Sequence, residues 1–527
     1  MVKKFSMGCL ILLCLPWLAT AQVRTLLPET NAKYITALKV YETIKPYIYN
    51  DHNKHPPQLS LVKKQLIAKP ASYDAASNSI YIEEAAFDAC LSVGADSLSA
   101  LAALIAHEAM HYFKKHRGER GFACAYFEVG KELDEQRKTQ EAEADLWGLM
   151  TAYLAGYEVV GIVPNLLDRL YGQYNLPDEM SGYPTLETRK KMFAHSLEKL
   201  QDLTALFEAG NYLAAIGEHD KAAACFATIL DDYQTHEMCN NLGVAIAAYL
   251  ASLDDRGPEY PLEMELQSSL YRKPPPFGYA PDALKKYWLP EAEKALLEAL
   301  KLKADFATAN INLSIVYDMM GRYDDALSTI KKARHSRPLL RAQEYHLSIM
   351  EGIIEWHRGN PSLGKSILKA VDDPLAAQNL LLLENGGAGQ TKAPVIVSPL
   401  DRICGESLTA NWKSARNIRL KKGILPELTF EFYYKNDSCA SAFKVSRPSS
   451  NEQVYLQITK DAGARTLKGQ GIGTDRQALL NSYGGEQAAI AYAAKNTFII
   501  CHGQGLIFQL GIPGKVEGWG IFKVVGR

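Results

Sequence analysis

Apolar and polar positions follow one another in patterns that change character several times along the chain. Lys3 and Lys4 precede a mainly apolar run from Phe5 to Leu18, and the small residues Ala19-Thr20-Ala21 follow it. That layout predicts a secretory signal peptide, residues 1–21, cleaved before Gln22. Ser79-Ile80-Tyr81-Ile82-Glu83 alternates with period two and predicts a short strand. Ser97 to Lys115 repeats its apolar residues with the helical period, and Asp96 or Ser97 is placed to cap it. A second helix is expected from Gln140 to Ala155, ending at Gly156, with more helix through Glu187 to Leu200. From about Thr204 to Val371 the chain is almost wholly helical and self-similar, the mark of a repeat array. A Pro-rich insertion from about Asp254 to Pro281 interrupts the array and predicts an exposed loop.

Glu384 to Pro394 has the composition of a linker, and strand patterns take over beyond it. They fall at Leu428–Tyr434, Val454–Thr459, Thr497–Cys501, Leu506–Ile512 and Gly518–Val525, with a hairpin turn at Gly503-Gln504-Gly505 and a helix over Asp475–Tyr483. The expected organisation is a multidomain, mainly α chain. A mainly α domain with a short edge sheet covers 22–203, a helical solenoid 204–383, a linker 384–394, and a small α+β domain 395–527.

Composition narrows the partners. With 527 residues, 47% hydrophobic content, 22% charged content and a formal net charge of −1, the chain offers no broad basic surface for nucleic acid. Beyond the leader, the longest apolar runs, Leu98 to Ala106 and Leu242 to Leu253, are too short or interrupted to span a bilayer. Beyond the leader stand Cys90, Cys124, Cys225, Cys239, Cys404, Cys439 and Cys501, with no Cys-x-x-Cys pair. Cys90 and Cys124 bracket the first long helix, but spacing fixes no connectivity.

The chemistry concentrates at His107-Glu108-Ala109-Met110-His111, a His-Glu-x-x-His pattern. In a helix its two histidines project from one face, where both imidazoles can meet one metal ion. The pattern arises by accident in roughly one or two of every hundred chains this long. Here it sits in a strongly apolar helix (Leu98, Leu101, Leu104, Ile105), as a ligand helix buried in a catalytic domain should. Glu108 stands beside the metal position, where a base that takes a proton from zinc-bound water belongs. Catalytic zinc needs a third protein ligand, and Glu141 supplies it on the next helix, with Asp145 four residues on to orient a ligand imidazole and Glu143 pointing elsewhere. The metzincin alternative fails, because Lys114 and Arg117 occupy the positions it needs for glycine and histidine. His116 reads as part of a solvated basic stretch, Lys114 to Arg120.

Two resemblances extend this reading. The stretch Phe306 to Pro338, with Leu313, Ser314, Tyr317, Gly321, Tyr323, Ala326, Ile330 and Ala333, resembles a tetratricopeptide repeat. Weaker copies carry Gly210, Gly217, Ala222 and Phe226, then Leu242, Gly243, Ala292, Leu296 and Ala299, and finally Gly352, Gly359 and Leu368. From about Tyr73 to Leu200 the chain is similar to the HtpX/BepA-type zinc metallopeptidases, gluzincins that include the CAAX prenyl proteases. The likeness rests on His107 to His111, Glu141-x-x-Ala144-Asp145, Gly156-Tyr157, Gly182-Tyr183-Pro184 and Arg189, with Tyr183 standing where relatives often carry histidine. It implies a zincin-like fold and a bound Zn2+; where the family histidine is replaced, Tyr183 offers a hydroxyl to the oxyanion instead, and Arg189 offers a charge that stabilises the site. It also implies that Asn78 to Glu83 is an edge strand pairing with substrate backbone. The activity implied is a periplasmic endopeptidase acting on unfolded or misassembled envelope proteins, with polypeptide substrates or an assembly partner held by the repeats. The alternative is a non-catalytic scaffold or chaperone with a structural or vestigial zinc site.

Overall fold

A computed structural model describes residues 24–525 apart from 49–54, 64–68, 95, 117–130, 158, 160, 176–184, 254–257, 259, 265–280, 337–338, 385–402, 404–407, 409–414, 421–427, 434–439, 450, 485–487, 492–496 and 512–513. The expected leader, the expected linker beyond Glu384, Cys124 and Tyr183 lie outside the described residues. Among those described, no helix is long and apolar enough to cross a membrane.

The N-terminal body opens with α1 (Ala32–Ile48), followed by β1 (Gln58–Val62), β2 (Ala71–Asp74) and β3 (Ser79–Glu83). These strands form one small sheet in the order β1-β3-β2, β3 running parallel to β1 and antiparallel to β2. β3 is therefore the central strand. Its backbone already pairs on both sides, which overturns the expectation that it is a substrate-pairing edge. The outer side of β1 is covered too, by Leu27 N donating to Leu61 O and Lys63 N to Thr25 O, both at 2.9 Å.

Helices α2 (Glu84–Leu91), α3 (Ser97–Phe113), α4 (Lys131–Leu154), α5 (Val163–Tyr174) and α6 (Leu186–Ala215) complete this body. α3 packs along α4, against α1 and over the sheet. Ala100 to Met110 are all buried, because alanine, leucine and isoleucine occupy every face of α3 there. Asp96 caps α3 through its backbone rather than its side chain, with Ala100 N donating to Asp96 O. α6 is an unbroken helix of 30 residues that runs across the position expected to divide two domains. It packs on α4 and α5 of this body and pairs with the next helix.

The array continues through α7 (His219–Ile229), α8 (His236–Ser252), α9 (Pro281–Leu302), α10 (Ala307–Met319), α11 (Tyr323–His335), α12 (Arg341–His357), α13 (Pro361–Ala370) and α14 (Pro374–Glu384). Successive helices pack in pairs, α6 with α7, α8 with α9, α10 with α11 and α12 with α13. The same contact recurs: a glycine on one helix admits a bulky side chain from its mate, Gly210 against Phe226, Gly243 against Leu296 and Gly352 against Leu368. A Cβ at Gly243 would lie 2.6 Å from Leu296 Cγ, so no larger residue fits there. The turns recur as well. Gly217, Gly321 and Gly359 take positive φ just past α6, α10 and α12, and the next amide in each case bonds back to the helix.

The C-terminal body holds β4 (Ala415–Leu420), β5 (Leu428–Tyr433), β6 (Ser441–Arg447), β7 (Glu452–Thr459), α15 (Arg476–Tyr483), β8 (Ala488–Ala491), β9 (Thr497–Cys501), β10 (Leu506–Leu510) and β11 (Val516–Val525). The strands form one antiparallel sheet in the order β4-β5-β6-β7-β11-β10-β9-β8. Period-two alternation buries both faces. Phe430, Phe443, Leu456, Phe498 and Ile507 join the core of the helical array, while Ile499, Phe508 and Trp519 pack with Leu479 and Tyr483 of α15. An ion cluster closes the seam, in which Arg447 bridges Asp220 and Glu452, and Lys221 lies 3.6 Å from Glu452 and 2.9 Å from Glu218.

Candidate metal centre

The site assembles where α3 and α4 touch. Gly148 allows the approach: a Cβ there would lie 2.8 Å from the backbone nitrogen of His107, closer than real Cβ contacts permit. The close crossing brings Glu141, two turns before Gly148 on α4, against the histidine pair of α3.

Three donor atoms converge. His107 Nε2 lies 3.2 Å from His111 Nε2, His107 Nε2 lies 3.4 Å from Glu141 Oε2, and His111 Nε2 lies 3.6 Å from Glu141 Oε1. Ligand atoms about 2.0–2.1 Å from a tetrahedral zinc ion stand about 3.3–3.4 Å from one another. The three residues thus present one face of a zinc-sized tetrahedron, and among the described residues they form the group suited to holding a metal ion.

Electrostatics agree with geometry. Glu108, Glu141, Asp145 and Arg189 are all between 0% and 6% exposed, and three carboxylates against one guanidinium leave a formal charge of −2 when the imidazoles are neutral. Buried net charge is costly, and a divalent cation between the ligands removes it. Burial opposes a charged His107, yet Asp145 and Glu141 outweigh it and raise the imidazole pKa to about 10. Burial would likewise raise the Glu141 carboxyl, but His111, His107 and Arg189 hold it well below the usual carboxylate range. Both shifts describe a pocket that favours positive charge between the histidines and Glu141.

A second layer orients the ligands. His107 Nδ1 lies 2.7 Å from Asp145 Oδ1, which fixes the tautomer whose Nε2 lone pair faces the cluster. Arg189 is fully buried and reaches the site from α6, 2.8 Å from Asp145 Oδ1 and 3.5 Å from Glu141 Oε2, with its guanidinium over the Phe193 ring. It therefore braces the two carboxylates from behind. Glu108 is buried next to His107 on α3.

His116 departs from expectation. It is buried rather than solvated, with Nδ1 2.9 Å from His111 Nδ1 and Nε2 3.4 Å from Glu143 Oε2. With His111 Nε2 free to accept, its Nδ1–H donates to His116, and His116 Nε2–H donates to Glu143. Lys114, 2.9 Å from Glu143 and over the Trp147 ring, completes this chain. The physical cause is Lys115, whose positive φ turns the chain back under α3, so that His116 N donates to His111 O at 2.9 Å.

Of the cysteines, Cys90, Cys225, Cys239 and Cys501 are buried free thiols outside the ligand set. No protein-family model matches the sequence, and neither does any curated protein.

Proposed function

We propose that the chain is an exported zinc-dependent metalloendopeptidase that hydrolyses peptide bonds of unfolded or misassembled envelope proteins. The observation that carries this reading is the tetrahedral spacing of His107, His111 and Glu141 with Glu108 beside them on α3. His107, His111 and Glu141 would hold the ion, leaving one position open to water or substrate. Zinc bound in this way lowers the pKa of its water toward about 7 and polarises a carbonyl.

The chain's own residues do the rest. Asp145 and His116 hold the ligand imidazoles in the tautomers that point Nε2 at the cluster. Arg189 fixes Asp145 and Glu141 and so acts as a positioning residue. Glu108 takes the proton of the attacking water as the new C–O bond forms and then delivers it to the amine nitrogen, so that the peptide C–N bond breaks when the tetrahedral adduct collapses. The oxyanion role read for Tyr183 rests on the sequence alone, because Tyr183 lies outside the described residues. The N-terminal body is on this reading zincin-like, and the helix pairs are tetratricopeptide-like, supported by their repeated glycine contacts and turns.

The test compares the purified chain with Glu108→Gln, measuring bound zinc and degradation of unfolded casein. The expected variant retains zinc and loses cleavage by about 10²–10⁴-fold. Equal cleavage by both removes the mechanism. Zinc in both with cleavage by neither supports the non-catalytic scaffold instead.

A further inference from the structure

The connection between α8 and α9 stands apart from its counterparts. Residues 216–218, 320–322 and 358–360 join the other helix pairs, whereas residues 253–280 join this one, although α8 and α9 pack together as closely as any pair. The insertion was expected to be an exposed loop. Instead Pro261, Leu262, Glu263 and Met264 are buried. They lie across α8, α10 and α12, which stand side by side along one face of the array.

The contacts there read a peptide in two ways. Asn312 of α10 engages the main chain of one residue with both ends of its amide, Glu263 N donating to Asn312 Oδ1 at 2.8 Å and Asn312 Nδ2 donating to Glu263 O at 2.6 Å. Asn240 of α8 donates to the same carbonyl at 3.0 Å, and its own oxygen accepts from Asn312 at 2.9 Å. An amide that pairs both backbone groups takes the place of a neighbouring strand, and any extended residue satisfies it. The side chain is read separately. Glu263 Oε2 accepts from Gln343 Nε2 at 3.0 Å, and Oε1 meets His346 Nδ1, both on α12, while Gln343 is itself steadied by Thr308 at 3.1 Å. Leu262 and Met264 are 3% and 4% exposed within the apolar core on either side of this carboxylate in sequence. Tyr260 anchors the upstream end on Asp318 at 2.8 Å.

Asn240 and Asn312 are fully buried and direct their amides at the main chain of this one residue and at each other, so the groove is shaped to a peptide backbone. We propose that the face formed by α8, α10 and α12 is a recognition groove for an extended polypeptide carrying glutamate between two bulky apolar residues, and that Leu262–Met264 is its resident, displaceable occupant. A tethered occupant competes at an effective concentration of roughly millimolar, so an incoming segment must match the pattern to replace it. The groove is a second recognition site, separate from the metal centre and independent of its chemistry.

The test uses a fluorescein-labelled peptide of residues 258–266 and the full chain, unmodified or carrying Leu262→Ala with Glu263→Ala. The altered chain should bind the peptide saturably and at least about tenfold more tightly than the unmodified one. Asn312→Ala in the altered chain should abolish binding, and a peptide carrying Glu263→Gln should bind at least about tenfold more weakly. No saturable binding by the altered chain, with cooperative unfolding intact, overturns the proposal, as does equal binding of the Gln peptide. If the altered chain does not fold, amide exchange in the unmodified chain decides. Excess free peptide should speed exchange at residues 260–264, and unchanged exchange overturns the proposal.

Discussion

The ligand rings show how much a single residue's surroundings decide. His107 and His111 each have a partner on Nδ1, Asp145 for one and His116 for the other, and each turns Nε2 toward the candidate metal position. Glu141→Ala removes the anionic ligand and should weaken zinc binding by more than about a hundredfold in a chelator competition. Unchanged affinity would take Glu141 out of the ligand set. His116→Ala should weaken it by about 10–100-fold, since the lost partner frees His111 to adopt either tautomer. The helix pairs His107/His111 and Glu141/Asp145 were legible because four residues return a helix to the same face. His116 was not, because the left-handed residue Lys115 ends the helical period just before it. Nor was Arg189 legible as a brace on Asp145, since contact across 44 positions leaves no spacing to read.

Element by element, the sequence pattern worked where large apolar residues recur with a clear period and failed where polar, charged or alanine-rich sequence hides it. The apolar face marked the second half of α4, but Lys131 to Thr139 are almost all polar and carry no period, so the helix begins nine residues before the expected Gln140. β4, β6 and β8 went unread for a related reason: Ala415–Leu420 and Ser441–Arg447 mix charge into their alternation, and Ala488–Ala491 is alanine-rich. The crossing of α3 and α4 depends on Gly148, whose role only the packed structure reveals. Gly148→Ala must push α4 off the His107 backbone, and it should destabilise the chain by about 1–3 kcal/mol in urea unfolding while lowering zinc affinity. Wild-type values on both measures would show that the helices have slack at this point.

Across the described residues, the three bodies share buried surface. Tyr233 of the array, fully buried, packs its ring tilted against Trp147 of α4 at 4.5 Å between centroids, and its hydroxyl lies 3.1 Å from that of Thr151. Tyr212 of α6 meets Phe498 of the sheet at 5.2 Å. Lys221, with Arg447, is a buried cation of the seam with the C-terminal body. Burial opposes its charge, but Asp220, Glu218 and Glu452 raise its pKa well above the ordinary lysine value of 10.5. Its stabilising contribution is therefore fully present below pH 10.5 and is lost as pH rises toward the raised folded value. Lys221→Met leaves buried carboxylates short of a cation and should cost about 3–5 kcal/mol at neutral pH, read as a lower thermal midpoint. A midpoint that does not move would mean the seam tolerates the loss.

The central claim is that α3 and α4 together hold one zinc ion. Zinc-edge X-ray absorption on the purified, zinc-supplemented chain tests it most directly. The predicted result is stoichiometric zinc with two imidazole nitrogens and oxygen ligands at about 2.0–2.2 Å and no sulfur. Chain that takes up no zinc, or zinc held by thiolate sulfur at about 2.3 Å, would contradict the account.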